Sequence, residues 1–586
     1  MPGQNSTKSS PSLSVSGSKQ AVATMTAGGA LLARLKTLGV DYIFANSGTD
    51  FPPIIEGLAE ARAKHVDLPQ ALIMPHEHAA MGMAHGYYFA TGKAQAVMAH
   101  TNVGLANCAI GAINAATDHV PVLLFSGRTP VVERDRLGAR TVPIGWGQEM
   151  RDQAALVREA SKWDYELRFP EQVAEMADRA YAIATSAPRG PVYMSLPREV
   201  LCEPCPVSEL DPAPTMAAAQ VGIHAGAIAE AARLIATAEK PLIIAQRGTG
   251  STEAFAAFSQ LVDDWGIPVS QYWAVQLALP TRHPMNLGAD LEPYLSEADV
   301  IVVLDCLAPW SPDVHKLKDG AKVIQIGQNP LHSRFPIRNF RSDLTIMADT
   351  ADAVLALGEA LAPHAAATAE KRASRRASVA AHTIRLLAKV DAAAEAGARD
   401  PMTKAYVARC LSDAIEGKAA TVLSELGCPM AQLDLKDHGT WFQEPHSGGL
   451  GWSFPCALGV QLADRDRLVV ATLGDGSYMF ANPTACHQIA ESLGLPVLLL
   501  VLNNSEWGAV RQSVTGIYPQ GYAARSNDMP LVDLSPSPDF TKVAEASRAW
   551  TAKVSDPVEL PAVLARAIAH IEENRTQALV EITIGG

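Results

Sequence analysis

Apolar residues along this chain gather into short, nearly continuous runs at 95–99, 121–126, 241–245, 300–305, 322–326, 468–473 and 497–502. Runs of this length, rich in valine, isoleucine and leucine, predict strands buried on both faces. Alanine-rich stretches of helix-forming composition, such as 105–117, lie between them. That alternation predicts parallel sheets wrapped by helices. The runs fall into three blocks, 21–200, 216–365 and 401–586, each with enough strands for a sheet of its own. The predicted fold is therefore α/β, with three doubly wound parallel-sheet domains. The Pro- and Cys-rich stretch near 202–215 reads as a linker, and the alanine-rich, basic stretch 366–400 as a helical connection. The first twenty positions are serine-rich, lack an apolar stretch, and read as a disordered tail instead of a secretory signal.

Composition narrows the function classes. A chain of 586 residues, 48% hydrophobic and 19% charged, has material for several cores. A net charge of −13 and a pI near 5.7 argue against a nucleic-acid partner, because phosphate binding needs a basic footprint. No apolar run approaches the length of a membrane span, so no membrane partner is expected and the expected location is the cytoplasm. The eight cysteines are scattered, and their one close pair, Cys202 and Cys205, reads as two incidental thiols between prolines, not as a zinc knuckle.

Chemistry concentrates in the third block. Gly474-Asp475-Gly476-Ser477 follows the run 468–473, and Asn503-Asn504 ends the run 497–502. The segment between, 477–502, reads as turn, helix and strand, with Asn482 as helix cap, Pro483 in the first turn and Gly494 at the end. A βαβ unit returns its second strand parallel to the first, so Asp475 and Asn504 converge at one sheet edge, where ligands of open α/β sheets bind. A carboxylate, an amide oxygen and a backbone carbonyl are hard ligands suited to magnesium. Glycines beside Asp475 let the backbone approach a diphosphate. In the second block Gly248 and Gly250 also follow a strand, but Gln-Arg-Gly-Thr-Gly-Ser does not complete a dinucleotide fingerprint.

On these residues the chain resembles the thiamine-diphosphate enzymes of the pyruvate decarboxylase and acetolactate synthase superfamily. The resemblance implies that the three blocks are pyrimidine-binding, central and diphosphate-binding domains. It implies thiamine diphosphate and Mg2+ as cofactors, with Asp475, Asn504 and the main-chain carbonyl of Glu506 on the metal and Gly474, Gly476 and Ser477 at the diphosphate. Gly448-Gly449-Leu450-Gly451-Trp452 also matches, and there the family uses a bulky apolar residue, here Leu450 beside Gly449, to prop the cofactor into a bent shape. Glu77, in Met74-Pro75-His76-Glu77-His78, stands where the family has its activating glutamate, although a carboxylate at a helix start also reads as a cap. His76 and His78 read as packing or solvent-facing residues, and His487 as core or interface.

At His100-Thr101-Asn102-Val103-Gly104 the chain resembles benzoylformate decarboxylase more than acetolactate synthase. A histidine there could hold or donate a proton. By the same resemblance His283, in Pro280-Thr281-Arg282-His283-Pro284, would be a second active-site histidine and Thr49 a substrate contact; Asp50 falls out of register and receives no role. Two departures bear on substrate and cofactor. Gln512 and Ser513 replace bulky aromatics of the benzoylformate enzyme, and 285–288 reads Met-Asn-Leu-Gly, which implies no bound FAD. The implied reaction is non-oxidative decarboxylation of a 2-oxo acid, with possible transfer of the remaining fragment to an aldehyde or second oxo acid. A carboligase of the acetolactate synthase kind and an inactive cofactor-binding homologue stay as alternatives. The resemblance further implies a homodimer or homotetramer.

Overall fold

The computed structural model of the chain describes residues 24–206 and 214–585. The serine-rich first twenty positions lie outside the described residues. The first block opens with β1 (Thr24–Thr26) and continues through β2 (Tyr42–Ala45), β3 (Gln70–Ile73), β4 (Gln95–Ala99), β5 (Val122–Arg128), β6 (Asp164–Glu166) and β7 (Val192–Pro197) to β8 (Pro204–Pro206). Strands β2 to β7 form one parallel sheet in the order β3-β2-β4-β5-β7-β6. The second block contributes β9 (Pro241–Ala245), β10 (Val269–Ser270), β11 (Val300–Leu304), β12 (Lys322–Gly327) and β13 (Leu344–Met347), ordered β10-β9-β11-β12-β13 and also parallel. The third holds β14 (Ala420–Glu425), β15 (Trp441–Gln443), β16 (Leu468–Gly474), β17 (Leu498–Asn503), β18 (Trp550–Val554) and β19 (Ala578–Thr583), ordered β15-β14-β16-β17-β19-β18. The continuous apolar runs are the strands buried end to end: β4, β9, β11 and β17 expose no residue.

Counted from its own first strand, each outer sheet runs 2-1-3-4-6-5, so the two outer domains share one topology; the central sheet runs 2-1-3-4-5. Every sheet therefore reverses its strand order between its first and third strands. Crevices open there at the carboxyl ends of β2 and β4, of β9 and β11, and of β14 and β16.

Helices α1 (Glu77–Thr91) and α2 (Thr101–Thr117) follow β3 and β4, and α3 (Thr252–Trp265) follows β9, capped by Ser251. The stretch read as a helical connection contains α4 (Ala369–Ala396), whose Asp391 pairs with Arg282 and Arg409 and so ties the central domain to the third. In the third domain α5 (Ser453–Ala463) precedes β16, and α6 (Asp475–Phe480) and α7 (Pro483–Leu493) connect it to β17. Helices α1 and α5 cross at glycines: a Cβ on Gly82 would lie 2.6 Å from Pro455, and one on Gly459 2.1 Å from the Met83 carbonyl oxygen. The two outer domains consequently share one apolar core.

Three local expectations need correction. The helix read at 105–117 begins earlier, at Thr101, because His100 takes the cap position. Asn482 precedes α7 in a left-handed conformation (φ +54°) and makes no side-chain cap bond. The supposed linker is partly sheet, since Pro204–Pro206 pairs antiparallel with Thr24–Thr26 and buries Cys205 in the first domain's core. Among the described residues no helix is long and apolar enough to cross a membrane.

Candidate active site

The parallel register of β16 and β17 sets Gly474 beside Leu502 and brings the residues after both strands to one edge. Asp475 opens α6 there, 2% exposed, and burial pushes its carboxyl above the usual range. Its Oδ2 has no hydrogen-bond partner. The end of the Asn504 amide lies 3.3 Å from Asp475 Oδ1 and 3.1 Å from the Glu506 carbonyl oxygen. With the amide oxygen turned inward, three oxygens converge and repel unless a cation sits among them; with the amide reversed, its nitrogen donates to both. The Glu506 carboxylate is taken up by Arg511 through two bonds of 2.6 Å, which leaves its carbonyl as the group facing this edge. An orphaned buried carboxylate oxygen beside an amide and a carbonyl fits a hard divalent metal.

Around this edge the backbone leaves room. A Cβ on Gly474 would meet nothing within 4 Å, and one on Gly476 would strike the Trp507 ring at 2.3 Å. Ser477 is buried in the same turn. The loop bearing Leu450 is clamped from both outer domains. Glu425, at the end of β14, accepts the Gly451 and Ser453 amides at 2.6 and 2.7 Å. His78 Nε2 donates to the Gly451 carbonyl at 3.0 Å, and Asn114 Nδ2 donates to the Gly449 carbonyl at 2.9 Å. Leu450 is half-buried between these anchors. Lys404 donates to the Leu426 carbonyl at 2.5 Å, and burial lowers its pKa despite the nearby Glu444 and Asp475 charges. Burial and the Glu425 charge push the Glu444 carboxyl up to about 8.

The first domain builds a second polar cluster at its own switch point. Glu77 opens α1, 5% exposed, and its two oxygens accept from Asn46 Nδ2 at 2.9 Å and Asn107 Nδ2 at 3.0 Å. Those amides, one after β2 and one on α2, hold the carboxylate at a fixed angle. His76 is the helix cap, its Nδ1 accepting from the His78 amide. At the end of β4, His100 Nδ1 lies 2.5 Å from Asp50 Oδ1, and its Nε2 lies 3.2 Å from the Gln148 amide nitrogen. The Asp50 bond outweighs partial burial and raises the His100 pKa. Thr49 is exposed, and its carbonyl accepts from Arg198.

His283 does not join either cluster. Its Nδ1 accepts from the Met285 amide, its ring is bonded to the Ser259 backbone on α3, and burial lowers its pKa. The cavity it lines, about 470 Å³, is bounded by Lys436, Asp437 and His438, which precede β15. It thus lies at the amino end of the third sheet, opposite the edge that carries Asp475. His487 is core: its Nδ1–H donates to Gln577 Oε1 and its Nε2 accepts from the Tyr478 hydroxyl, both at 2.7 Å.

Two groups therefore assemble, Glu77 with His100 in the first domain and Asp475 with Asn504 and Glu506 in the third. The hydrogen bonds of Glu77 and His100 go to first-domain partners, while His78 and Asn114 link the domains at the Leu450 loop. Sequence reasoning missed Asn46, Asp50, Asn107, Gln148, Lys404 and Glu425. Topology was the available signal for three of them: Asn46 and Asp50 follow β2, and Glu425 ends β14, the strands that flank the two switch points.

Three family models match in chain order. They are the thiamine pyrophosphate enzyme N-terminal TPP binding domain over 25–156, the central domain over 228–357 and the C-terminal TPP binding domain over 426–582. Fold and matched domains define the class as thiamine-diphosphate-dependent α/β enzymes. The chain belongs to the thiamine pyrophosphate enzyme family. A probable 2-ketoarginine decarboxylase of Pseudomonas aeruginosa is 27% identical over 524 residues, which cover 87% of this chain and 88% of the relative. A probable acetolactate synthase large subunit of Methanocaldococcus jannaschii is 25% identical over 570 residues, 93% and 90% of the two chains. A benzoylformate decarboxylase of Pseudomonas aeruginosa is 25% identical over 558 residues, 91% and 95%. Among solved structures, the thiamine diphosphate-dependent 4-hydroxybenzoylformate decarboxylase of Rhodococcus jostii superposes with a TM-score of 0.74 at 21% identity, over 96% of this chain and 99% of that one, a likeness of fold.

Proposed function

We propose that this enzyme decarboxylates a 2-oxo acid without oxidation, using thiamine diphosphate and Mg2+. The observation that carries the reading is the approach of the Asn504 amide to both Asp475 Oδ1 and the Glu506 carbonyl, with the other carboxylate oxygen, Oδ2, buried and unpartnered. Those three groups hold Mg2+, and the Gly474–Ser477 turn receives the diphosphate. Thiamine diphosphate, when bound, would supply the carbon nucleophile and the electron sink that decarboxylation of a 2-oxo acid requires. Glu77, oriented by Asn46 and Asn107, would hold the proton on the aminopyrimidine ring nitrogen and so promote the imino form, whose nitrogen removes the thiazolium proton. Leu450, fixed by the clamps on Gly449 and Gly451, would support the bound cofactor. His100 holds a proton at Nε2 for the substrate-derived oxygen or carbon. His283 is left out of this set because its surroundings lie at the opposite end of the sheet, and Thr49 enters only as a rim contact.

A second copy of the chain completes the unit. Helix α2 exposes Val103, Ile110 and Ile113 in one stripe (49, 41 and 46% exposed), on the helix whose Asn107 orients Glu77. An apolar stripe of this kind supports burial against a partner subunit in a closed dimer or tetramer.

Acyl transfer to an aldehyde or a second oxo acid is the alternative outcome, favoured by the likeness to acetolactate synthases over 93% of the chain. A panel of 2-oxo acids assayed for carbon dioxide release, with product analysis with and without an acceptor aldehyde, tests both. No carbon dioxide from any acid, with cofactor and Mg2+ present, would overturn the reading. Ligated products in place of free aldehyde would favour transfer.

A further inference from the structure

The pairing of Asp50 with His100 joins the segments that leave two neighbouring parallel strands. Asp50 lies after β2 with a side chain 4% exposed, and His100 lies after β4, 20% exposed. These are the two strands that flank the first domain's switch point. Asp50 uses both oxygens. Oδ1 is 2.5 Å from His100 Nδ1, and Oδ2 accepts the Thr101 amide at 3.2 Å. Thr101 carries a φ of +40°, a conformation that a β-branched residue rarely adopts, so the turn that delivers His100 is strained and Asp50 is tied to it.

Two glycines make the pairing possible. A Cβ on Gly48 would lie 2.1 Å from His100 Nδ1, and one on Gly127 would lie 1.5 Å from Asp50 Oδ2. Any other residue at either position would push ring or carboxylate out of place. The third atom of the arrangement is His100 Nε2, which faces outward to the Gln148 amide at 3.2 Å. An amide suits both proton states of the ring, presenting N–H to a neutral Nε2 and its oxygen to a protonated one.

We propose that Asp50 is a positioning residue for the reaction: it fixes the His100 ring with Nδ1–H inward and Nε2 outward, so that Nε2 is the atom that carries the working proton. The proposal rests on the reading of His100 as an active-site acid. The groups facing the ring are Asp50, Glu77 across the edge and the neutral Gln148; both carboxylates favour the charged ring, and burial opposes them. Transfer of the Nε2 proton to the substrate-derived atom leaves a neutral ring whose Nδ1–H stays on Asp50. Water returns the proton to Nε2 after product leaves.

The test is the pH behaviour of His100 in the cofactor-loaded enzyme without substrate, read by NMR of ring-labelled histidine with His100→Gln as the assignment control. In the wild type the ring should titrate above the ordinary value near 6.5. In Asp50→Asn, which keeps the shape and removes the charge, the midpoint should fall by about one pH unit or more. The decline of kcat at rising pH should shift down with it, while KM for the oxo acid stays within about threefold. A wild-type midpoint at or below the ordinary value would overturn the proposal without any variant. An unshifted midpoint in Asp50→Asn would overturn it as well. Loss of activity in His100→Ala with unchanged titration in Asp50→Asn would sink the role of Asp50 and leave that of His100. Full activity in His100→Ala would instead sink the reading beneath it.

Discussion

Gly86 of α1 and Cys456 of α5 approach so closely that a Cβ on Gly86 would sit 1.9 Å from the Cys456 carbonyl oxygen. The contact lies where the two outer domains share their core, so backbone meets backbone with no flexible side chain to yield. Gly86→Ala sets two effects against each other. Alanine gains about 1 kcal/mol of helix propensity. Overpacking at a rigid contact costs about 1–3 kcal/mol or more. Packing should win, with a lower thermal midpoint and weaker cofactor binding. Gly358, in a helical turn with nothing within 4 Å of its Cβ, is the control, and Gly358→Ala should be neutral or slightly stabilising. Equal midpoints for the two variants would show that the α1–α5 crossing tolerates separation.

Much of this arrangement was legible in the chain. Continuous apolar runs mark strands because a sheet covered on both faces has no polar side to show, and β16 and β17 appeared within one residue of their observed limits. Asp475 and Asn504 could be brought together because a right-handed βαβ unit leaves little freedom. The Asp50–His100 pair was not legible. It joins residues fifty positions apart and depends on missing Cβ atoms at Gly48 and Gly127, which no periodicity records. Nor was the place of His283 legible: where its segment docks is set by Thr281 bonding to the Leu433 and Leu435 carbonyls of another domain.

If Asp475 holds the metal, its removal should weaken cofactor binding. Asp475→Ala loses a charge-assisted contact worth about 3 kcal/mol, or about a hundredfold in affinity. Calorimetry with thiamine diphosphate and Mg2+ should show that loss, and chelation of the wild type should reproduce it. Wild-type affinity in the variant would remove Asp475 from the metal.

Glu77→Gln and His100→Ala should fail at different stages. Asn46 and Asn107 can turn their amides to meet a glutamine, so the Glu77 variant should fold and bind cofactor. Exchange of the cofactor's thiazolium proton should nevertheless slow by about a hundredfold or more. His100→Ala should exchange normally and lose turnover. Deuterium exchange followed by acid-quench NMR measures both, and equal losses of exchange would mean that His100 shapes the cofactor pocket.

If a second copy completes the site, inactive variants should complement one another. Mixed Glu77→Gln and Asp475→Ala subunits should recover part of the wild-type rate, because one composite site regains both residues. Recovery absent under subunit exchange verified by mass, or an active species sedimenting as a monomer, would confine the site to one chain.

His487 should set part of the acid sensitivity of the third domain. Burial drives its pKa from 6.5 down to about 4, and its partners explain the neutral form: Nε2 accepts from Tyr478 while Nδ1–H donates to Gln577. Gln577 is held in that orientation because its own amide donates to the His487 and Ser547 carbonyls. A group whose folded pKa is depressed binds fewer protons folded than unfolded, so its contribution is present above 6.5 and is lost as pH falls toward 4. The amount is about 3 kcal/mol. His119 and His332, both pushed to about 3 by burial and the Arg247 charge, add slopes of their own in the same direction. The difference between wild type and a variant therefore isolates His487. His487→Asn keeps a donor near the Nδ1 position for Gln577 and leaves the Tyr478 hydroxyl without its acceptor, at about 1–3 kcal/mol. It should be less stable than wild type at pH 8, and the gap should close as the pH falls from 6.5 to 4 because asparagine does not titrate. Thermal midpoints measured across that window should converge. Parallel curves would mean that His487 takes up its proton without disturbing the Tyr478–Gln577 chain.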